Sequence, residues 1–239
     1  MPVELRVLAL QSPQIIIGEL AAQFTRDTGF AVTQLLDPAE LPAHARQRID
    51  RGEDFDVAFI EEAQLGALAR EGKLRGETRR NFLRVPIGVA VKSGAAKPKI
   101  DTVAAFREAV LAAKSVAFLD GGRSGPYLHE LFAGWGIGRE IDAKALRPDT
   151  DTVGELVAAG EAELGITAIA TMMATRGVDV VGRIPAEIQS YVCFAGALGP
   201  KARRSEGAKA LLDFVTGPAA LPVIRAKGME AWANGTPAN

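Results

Sequence analysis

The feature that most constrains this chain is a repeated alternation of short apolar runs with segments of helical spacing, most of them closed by glycine. Leu5–Leu10 is an apolar run of strand length. From Gln14 to Thr28 the spacing turns helical, with Ile16, Leu20 and Phe24 four apart, and Gly29 supplies the left-handed stop. Ala31–Leu36 reads as a second strand. Asp37, with Glu40 three residues on, predicts a capping box opening a helix that buries Leu41, Ala45 and Ile49 and ends at Gly52. Asp56–Ile60 is a third strand, and Gln64–Arg70 a helix closed by Gly72. Such alternation builds a parallel sheet with helices on its faces.

The logic repeats downstream. Val85–Lys92 is a strand, and Asp101 is the expected cap of a helix over 102–113 with Val103, Phe106 and Val110 facing inward. Ser115–Leu119 is a strand. The turn Asp120-Gly-Gly-Arg-Ser-Gly125 then leads into a helix over about 126–134. Asp151 is the expected cap of a helix running to Gly160, and Leu164–Ile169, Val178–Val181 and Ser190–Leu198 are further strands. Ser205 is the expected cap of a helix carrying Ala208, Leu211, Leu212 and Val215, and a last helix covers about 219–227.

Composition removes several function classes. A formal net charge of −1 over 239 residues leaves no basic footprint for nucleic acid. No run approaches eighteen apolar residues, so no segment reads as membrane-spanning. Two histidines and one cysteine, widely separated, make no metal site, and Cys193 in Tyr191-Val-Cys-Phe-Ala reads as a small buried hydrophobe. The opening residues lack the basic and apolar regions of a secretory leader. The expectation is a cytoplasmic protein as the sequence stands, or a periplasmic one trimmed to its mature start.

Several segments, in order, resemble the molybdate-binding branch of the type II periplasmic-binding family, which also holds aconitate-isomerase-like members. They are Leu5-Arg-Val-Leu-Ala-Leu-Gln-Ser12, Phe24 with Thr28-Gly29-Phe30, and Arg51-Gly-Glu-Asp-Phe-Asp56-Val-Ala-Phe-Ile60. Downstream come Leu68 with Glu71-Gly-Lys-Leu74, Val85-Pro-Ile-Gly-Val-Ala-Val91, Gly122-Arg-Ser-Gly125-Pro-Tyr127, Gly160-Glu-Ala-Glu-Leu-Gly-Ile166, and Ile184-Pro185 before Tyr191. The resemblance covers nearly the whole chain and rests on order and spacing rather than on one motif. It implies an α/β, two-lobed fold of mixed, mostly parallel sheets: lobe 1 over 1–84 and 196–239, lobe 2 over 85–195, and a hinge of two crossover strands. It also implies a small anion in the inter-lobe cleft, no cofactor and, if the protein is exported, an ABC-transporter membrane component as partner.

In such folds the ligand meets the carboxyl ends of strands and the amino ends of helices, where free amides and the helix dipole favour negative charge. Ser12, between the first strand and helix, is a candidate contact, with plain helix capping as the alternative. In the glycine-rich turn, Ser124 and Gly125 open a helix toward a ligand, and Arg123 can clamp a carboxylate through paired hydrogen bonds. Thr167 at a strand end, with ordinary packing as the alternative, Tyr191 before the second crossover, and Arg84 before the first, with a plain surface arginine as the alternative placed ahead, complete the set. Tyr127 reads as core, and His129 and His44 read as polar surface.

The chain departs from the molybdate pattern where that branch carries a serine-containing second turn: here stands Leu36-Asp37-Pro38-Ala39-Glu40, and Glu61-Glu62 adds further acid after the third strand. With Arg84 and Arg123, this favours a carboxylate over a metal oxyanion. Three functions follow: a solute-binding protein closing on a small anion, placed first; a cytoplasmic isomerase of an aconitate-type polycarboxylate; and a ligand-sensing domain, which lacks a helix-turn-helix of its own. An isomerase needs a base for an allylic proton. By elimination the candidates are Glu61, Glu62, Tyr191 or a serine.

Overall fold

The computed structural model describes residues 3–37 and 42–233. Its elements are β1 (Val3–Ala9), α1 (Gln11–Thr28), β2 (Phe30–Gln34), α2 (Pro42–Asp50), β3 (Val57–Glu61), α3 (Glu62–Arg70), β4 (Arg75–Lys92), α4 (Val103–Ala112) and β5 (Val116–Ala117). There follow α5 (Ser124–Gly134), α6 (Gly138–Asp142), β6 (Ala145–Leu146), α7 (Val153–Ala159), β7 (Leu164–Ala168), α8 (Ile169–Ala174), β8 (Val178–Arg183), β9 (Tyr191–Leu198), α9 (Ser205–Val215), α10 (Leu221–Ala226) and β10 (Glu230–Ala231). The chain divides into two compact units, one of residues 1–84 with 193–238, the other of 85–192.

In the first unit β1 lies between β2 and β3, parallel to both, and β3 pairs antiparallel with β9. Val57 and Phe59 of β3 and Val7 of β1 are fully buried, as near-continuous apolar strands with helices on their faces must be. Phe24 of α1 meets Phe214 of α9 with ring centroids 5.5 Å apart, and Phe59 meets Phe82 at 5.4 Å. Burying each such ring contributes about 1.5–3 kcal/mol.

The second unit repeats this arrangement. The strand β5 lies between β6 and β7, parallel to both, while β4 pairs antiparallel with β7 and with β8. Its core gathers Ile87, Val89, Phe106, Val110, Phe118, Leu128, Phe132 and Ile166. In each unit the strand lying between its two parallel neighbours is therefore the earlier one in sequence. The chain crosses from one side of it to the other, which makes its carboxyl end the place where connections diverge and a crevice opens.

Several helix starts differ from the sequence reading by one to three residues. Thr102, not Asp101, caps α4, its hydroxyl accepting from the Ala105 amide at 3.1 Å. Helix α1 begins at Gln11, which places Ser12 inside its first turn and removes it as the cap. Ser205 is the first residue of α9, and its hydroxyl donates to the Ala202 carbonyl at 2.8 Å instead of capping. Asp151 does not cap α7 either: Thr152 holds the cap position. The Asp37–Glu40 capping box involves residues 38–40, which with Leu41 lie outside the described residues.

Candidate functional site

In the first unit, the turn from β1 into α1 is tied down by Gln14. Its Nε2 donates to the Ala9 carbonyl at 2.7 Å and to the Leu36 carbonyl at 2.9 Å, joining the ends of β1 and β2. Ser12 is buried beside this tie, 3% exposed, and the α1 amides of the first turn have no intrahelical acceptor. The neighbouring Gln11 Oε1 is a buried acceptor with no partner among the described residues. Arg84, by contrast, is engaged: its Nε donates to Glu230 Oε2 at 2.9 Å across the β4–β10 pairing. Glu62 pairs with Arg79 at 2.9 Å, and Glu61 is the last residue of β3.

In the second unit, helix α5 starts two residues earlier than its periodicity suggests, so Ser124 and Gly125 both lie buried in its first turn. Gly122 turns the chain with φ 68°, and Gly125 sits against backbone: a Cβ there would stand 2.3 Å from the Leu119 carbonyl oxygen. Glycine is required at both, for a left-handed turn and for close approach respectively. Arg123 is exposed at the cap position, beside an open depression of about 450 Å³ that Gly122, Pro126, Tyr127 and Glu130 also line. Thr167 lies within β7 rather than after it, 1% exposed and opposite Gly88 of β4. Tyr191 opens β9 half-buried. Tyr127 is core, as read, and its hydroxyl donates to the Ile188 carbonyl.

The structure thus brings Arg123, Ser124, Gly125 and Thr167 to the carboxyl ends of two adjacent strands, with α5 packed beside β7. Sequence reasoning missed two groups at this same edge. His129, read as polar surface, has its Nε2 2.8 Å from Asp120 Oδ1, and Arg147 also approaches Asp120 at 3.3 Å. Asp151, read as a cap, is shielded and pushed up to about 6, first by burial, with the nearby negative charge of Glu155 adding and a hydrogen bond from Thr171 opposing. Among the described residues no group of three or more His, Cys, Asp or Glu is placed to hold a metal ion.

Residues 5–230 match the family described as bacterial extracellular solute-binding proteins. The chain belongs to this family. Among its relatives, this solute-binding protein is 31% identical to an aconitate isomerase from Pseudomonas sp. over 217 residues, 90% of this chain and 82% of that protein. Solved structures share its fold at lower identity. The periplasmic molybdate-binding protein of Azotobacter vinelandii has a TM-score of 0.73 at 19% identity, covering 94% of this chain and 98% of that one. The sulfate-binding protein SubI of Mycobacterium tuberculosis H37Rv has 0.75 at 15%, covering 95% and 86%. The fold is the type II periplasmic-binding fold expected from the sequence.

Proposed function

We propose that this chain binds an aconitate-type tricarboxylate and interconverts its cis and trans isomers. The observation that carries the reading is the 31% identity to an aconitate isomerase along 90% of the chain, against 15–19% for the molybdate- and sulfate-binding neighbours just described. The sequence alone places a non-catalytic binding protein first, and that relative reverses the order. The site chemistry agrees. The first turn of α5 offers amides and the Ser124 hydroxyl to one carboxylate, and Arg123 at the same turn offers a planar fork to another.

The test is proton NMR of trans-aconitate incubated with the purified protein. Growth of the cis-aconitate vinyl signal in proportion to protein concentration supports the isomerase. Binding without conversion favours a second reading, which the family match motivates: a receptor for the same anion, working outside the cytoplasm with an ABC-transporter membrane component.

A further inference from the structure

Asp151 is a half-buried acid whose Oδ1 is shut off from solvent, and neither capping nor ion pairing explains it. It lies in the connection from β6 to α7, five residues past the end of β6. The strand β5 stands between β6 and β7, all three parallel, so the connections leaving their carboxyl ends share one edge of the sheet. On that edge β5 leads to Ser124 and Gly125, β7 ends at Thr167-Ala168, and β6 leads to Asp151. Adjacent strands are about 4.8 Å apart, so the carboxyl ends of β6, β5 and β7 lie within roughly 10 Å of one another. The carboxyl is drawn toward β7: its Oδ2 accepts from Thr171 Oγ1 at 3.3 Å, in the helix that follows Thr167 directly. Thr171 is itself fixed, 2% exposed, with its carbonyl taking the Thr175 hydroxyl at 3.1 Å. The other oxygen, Oδ1, is buried with no partner among the described residues. A shielded carboxylate oxygen without a donor is costly in a purely structural role, and native structures seldom keep one without use.

We propose that the Asp151 carboxylate is the group that takes the allylic proton from a bound aconitate-type tricarboxylate and returns it to the other allylic carbon. The inference rests on the isomerase reading above and names its base. In the step, Oδ1 accepts a proton from the substrate methylene as that C–H bond breaks. The electron pair spreads over the allylic system and its attached carboxylates. The former vinylic carbon then takes the proton from Oδ1, forming a new C–H bond, and the double bond now joins the central carbon to the former methylene carbon. One C–H bond breaks and one forms, with no oxidant, reductant or water consumed. Thr171 holds the carboxyl by Oδ2 and leaves Oδ1 for the substrate. A carboxylate shielded from water is a stronger base than a free one, and the α5 amides and Arg123 face the substrate's own carboxylates. The charged neighbour opposing ionisation is Glu155 of α7.

The test compares the intact protein with Asp151→Asn and Asp151→Glu, measuring conversion of trans-aconitate by NMR and its binding by calorimetry. The expected result is a loss of at least about a hundredfold in kcat for Asp151→Asn with Kd changed less than tenfold, the usual scale of a lost general base. Asp151→Glu should retain measurable turnover. Wild-type kcat should fall on the acid side with an apparent pKa near 6. If Asp151→Asn does not fold, the Glu variant and the wild-type profile decide. Wild-type turnover that survives within threefold in Asp151→Asn, or stays flat from pH 5 to 8, overturns the assignment of the base while leaving the isomerase standing. A wild-type protein that binds aconitate and never converts it overturns both.

Discussion

Gly125 and the carbonyl oxygen of Leu119 approach so closely that a Cβ on residue 125 would stand 2.3 Å from that oxygen. The contact packs the first turn of α5 against the end of β5 and fixes where its amides point. Gly125→Ala should therefore destabilise the protein by about 3 kcal/mol, since backbone rather than a flexible side chain must yield. For a chain of this length that lowers Tm by roughly 6–12 °C. Gly121, with nothing within 4 Å of a built Cβ, is the matched control, and Gly121→Ala should stay within about 0.5 kcal/mol. Differential scanning calorimetry of the two variants separates them.

Ser124 is nearly fully buried in the first turn of α5, the helix that follows β5. A hydrogen bond to a charged group contributes about 1.5–3 kcal/mol. Replacing Ser124 by alanine should accordingly raise the Kd for aconitate by roughly ten- to a hundredfold while the melting temperature without ligand changes little. Calorimetric titration reads the affinity. Unchanged affinity in the variant would remove the start of α5 from the site.

The two arginines expected from sequence to meet the anion should behave differently. Arg84 is half-buried and already donates to Glu230 at 2.9 Å, so Arg84→Gln should act mainly on stability, by up to about 1 kcal/mol. Arg123 stands exposed at the opening of α5, and Arg123→Gln should raise the Kd for a tricarboxylate at least tenfold. Titrations of both variants at one salt concentration make the comparison.

Asp151 should also mark the pH dependence of stability. Its carboxyl is raised from an ordinary 3.8 to about 6 in the folded protein, chiefly by burial. The folded state then holds the proton more tightly than the unfolded chain does. The stabilising contribution is complete below about pH 4 and is lost as pH rises through about 6. Asp151→Asn removes the charge that burial disfavours. The variant should be more stable than wild type at pH 7.5, by roughly 2–3 kcal/mol, with the difference closing near pH 4. Denaturant unfolding at the two pH values tests this, and a variant less stable than wild type at pH 7.5 contradicts it.

The fold class was legible because its signals are local. Apolar runs of five or six residues, a four-residue spacing such as Ile16, Leu20 and Phe24, and stops such as Gly29 and Gly160, both left-handed in the structure, need no distant partner to be read. Ser124 and Gly125 were legible for the same reason, since a glycine-rich turn before a helix has a backbone meaning of its own. Ion pairing was not. The partner of Arg84 lies 146 residues away at Glu230, and nothing in the spacing of either announces it. Asp151 shows the limit most sharply. An acid two residues before a helical pattern looks like a cap, and only the approach of Thr171, twenty residues on, shows it turned inward. Similarly, His129 meets Asp120 because α5 folds back over the end of β5, a tertiary consequence invisible in helical periodicity.

The central claim, that the ligand is a tricarboxylate, is tested most directly by a thermal-shift comparison of cis-aconitate, trans-aconitate, citrate and isocitrate with molybdate, tungstate, sulfate and phosphate. At a hundredfold excess over Kd, a ligand stabilises the protein by about 2.7 kcal/mol. That corresponds to roughly 5–10 °C here. The account predicts such a shift with the aconitate isomers and none with the oxyanions. A shift with molybdate or sulfate alone would contradict it.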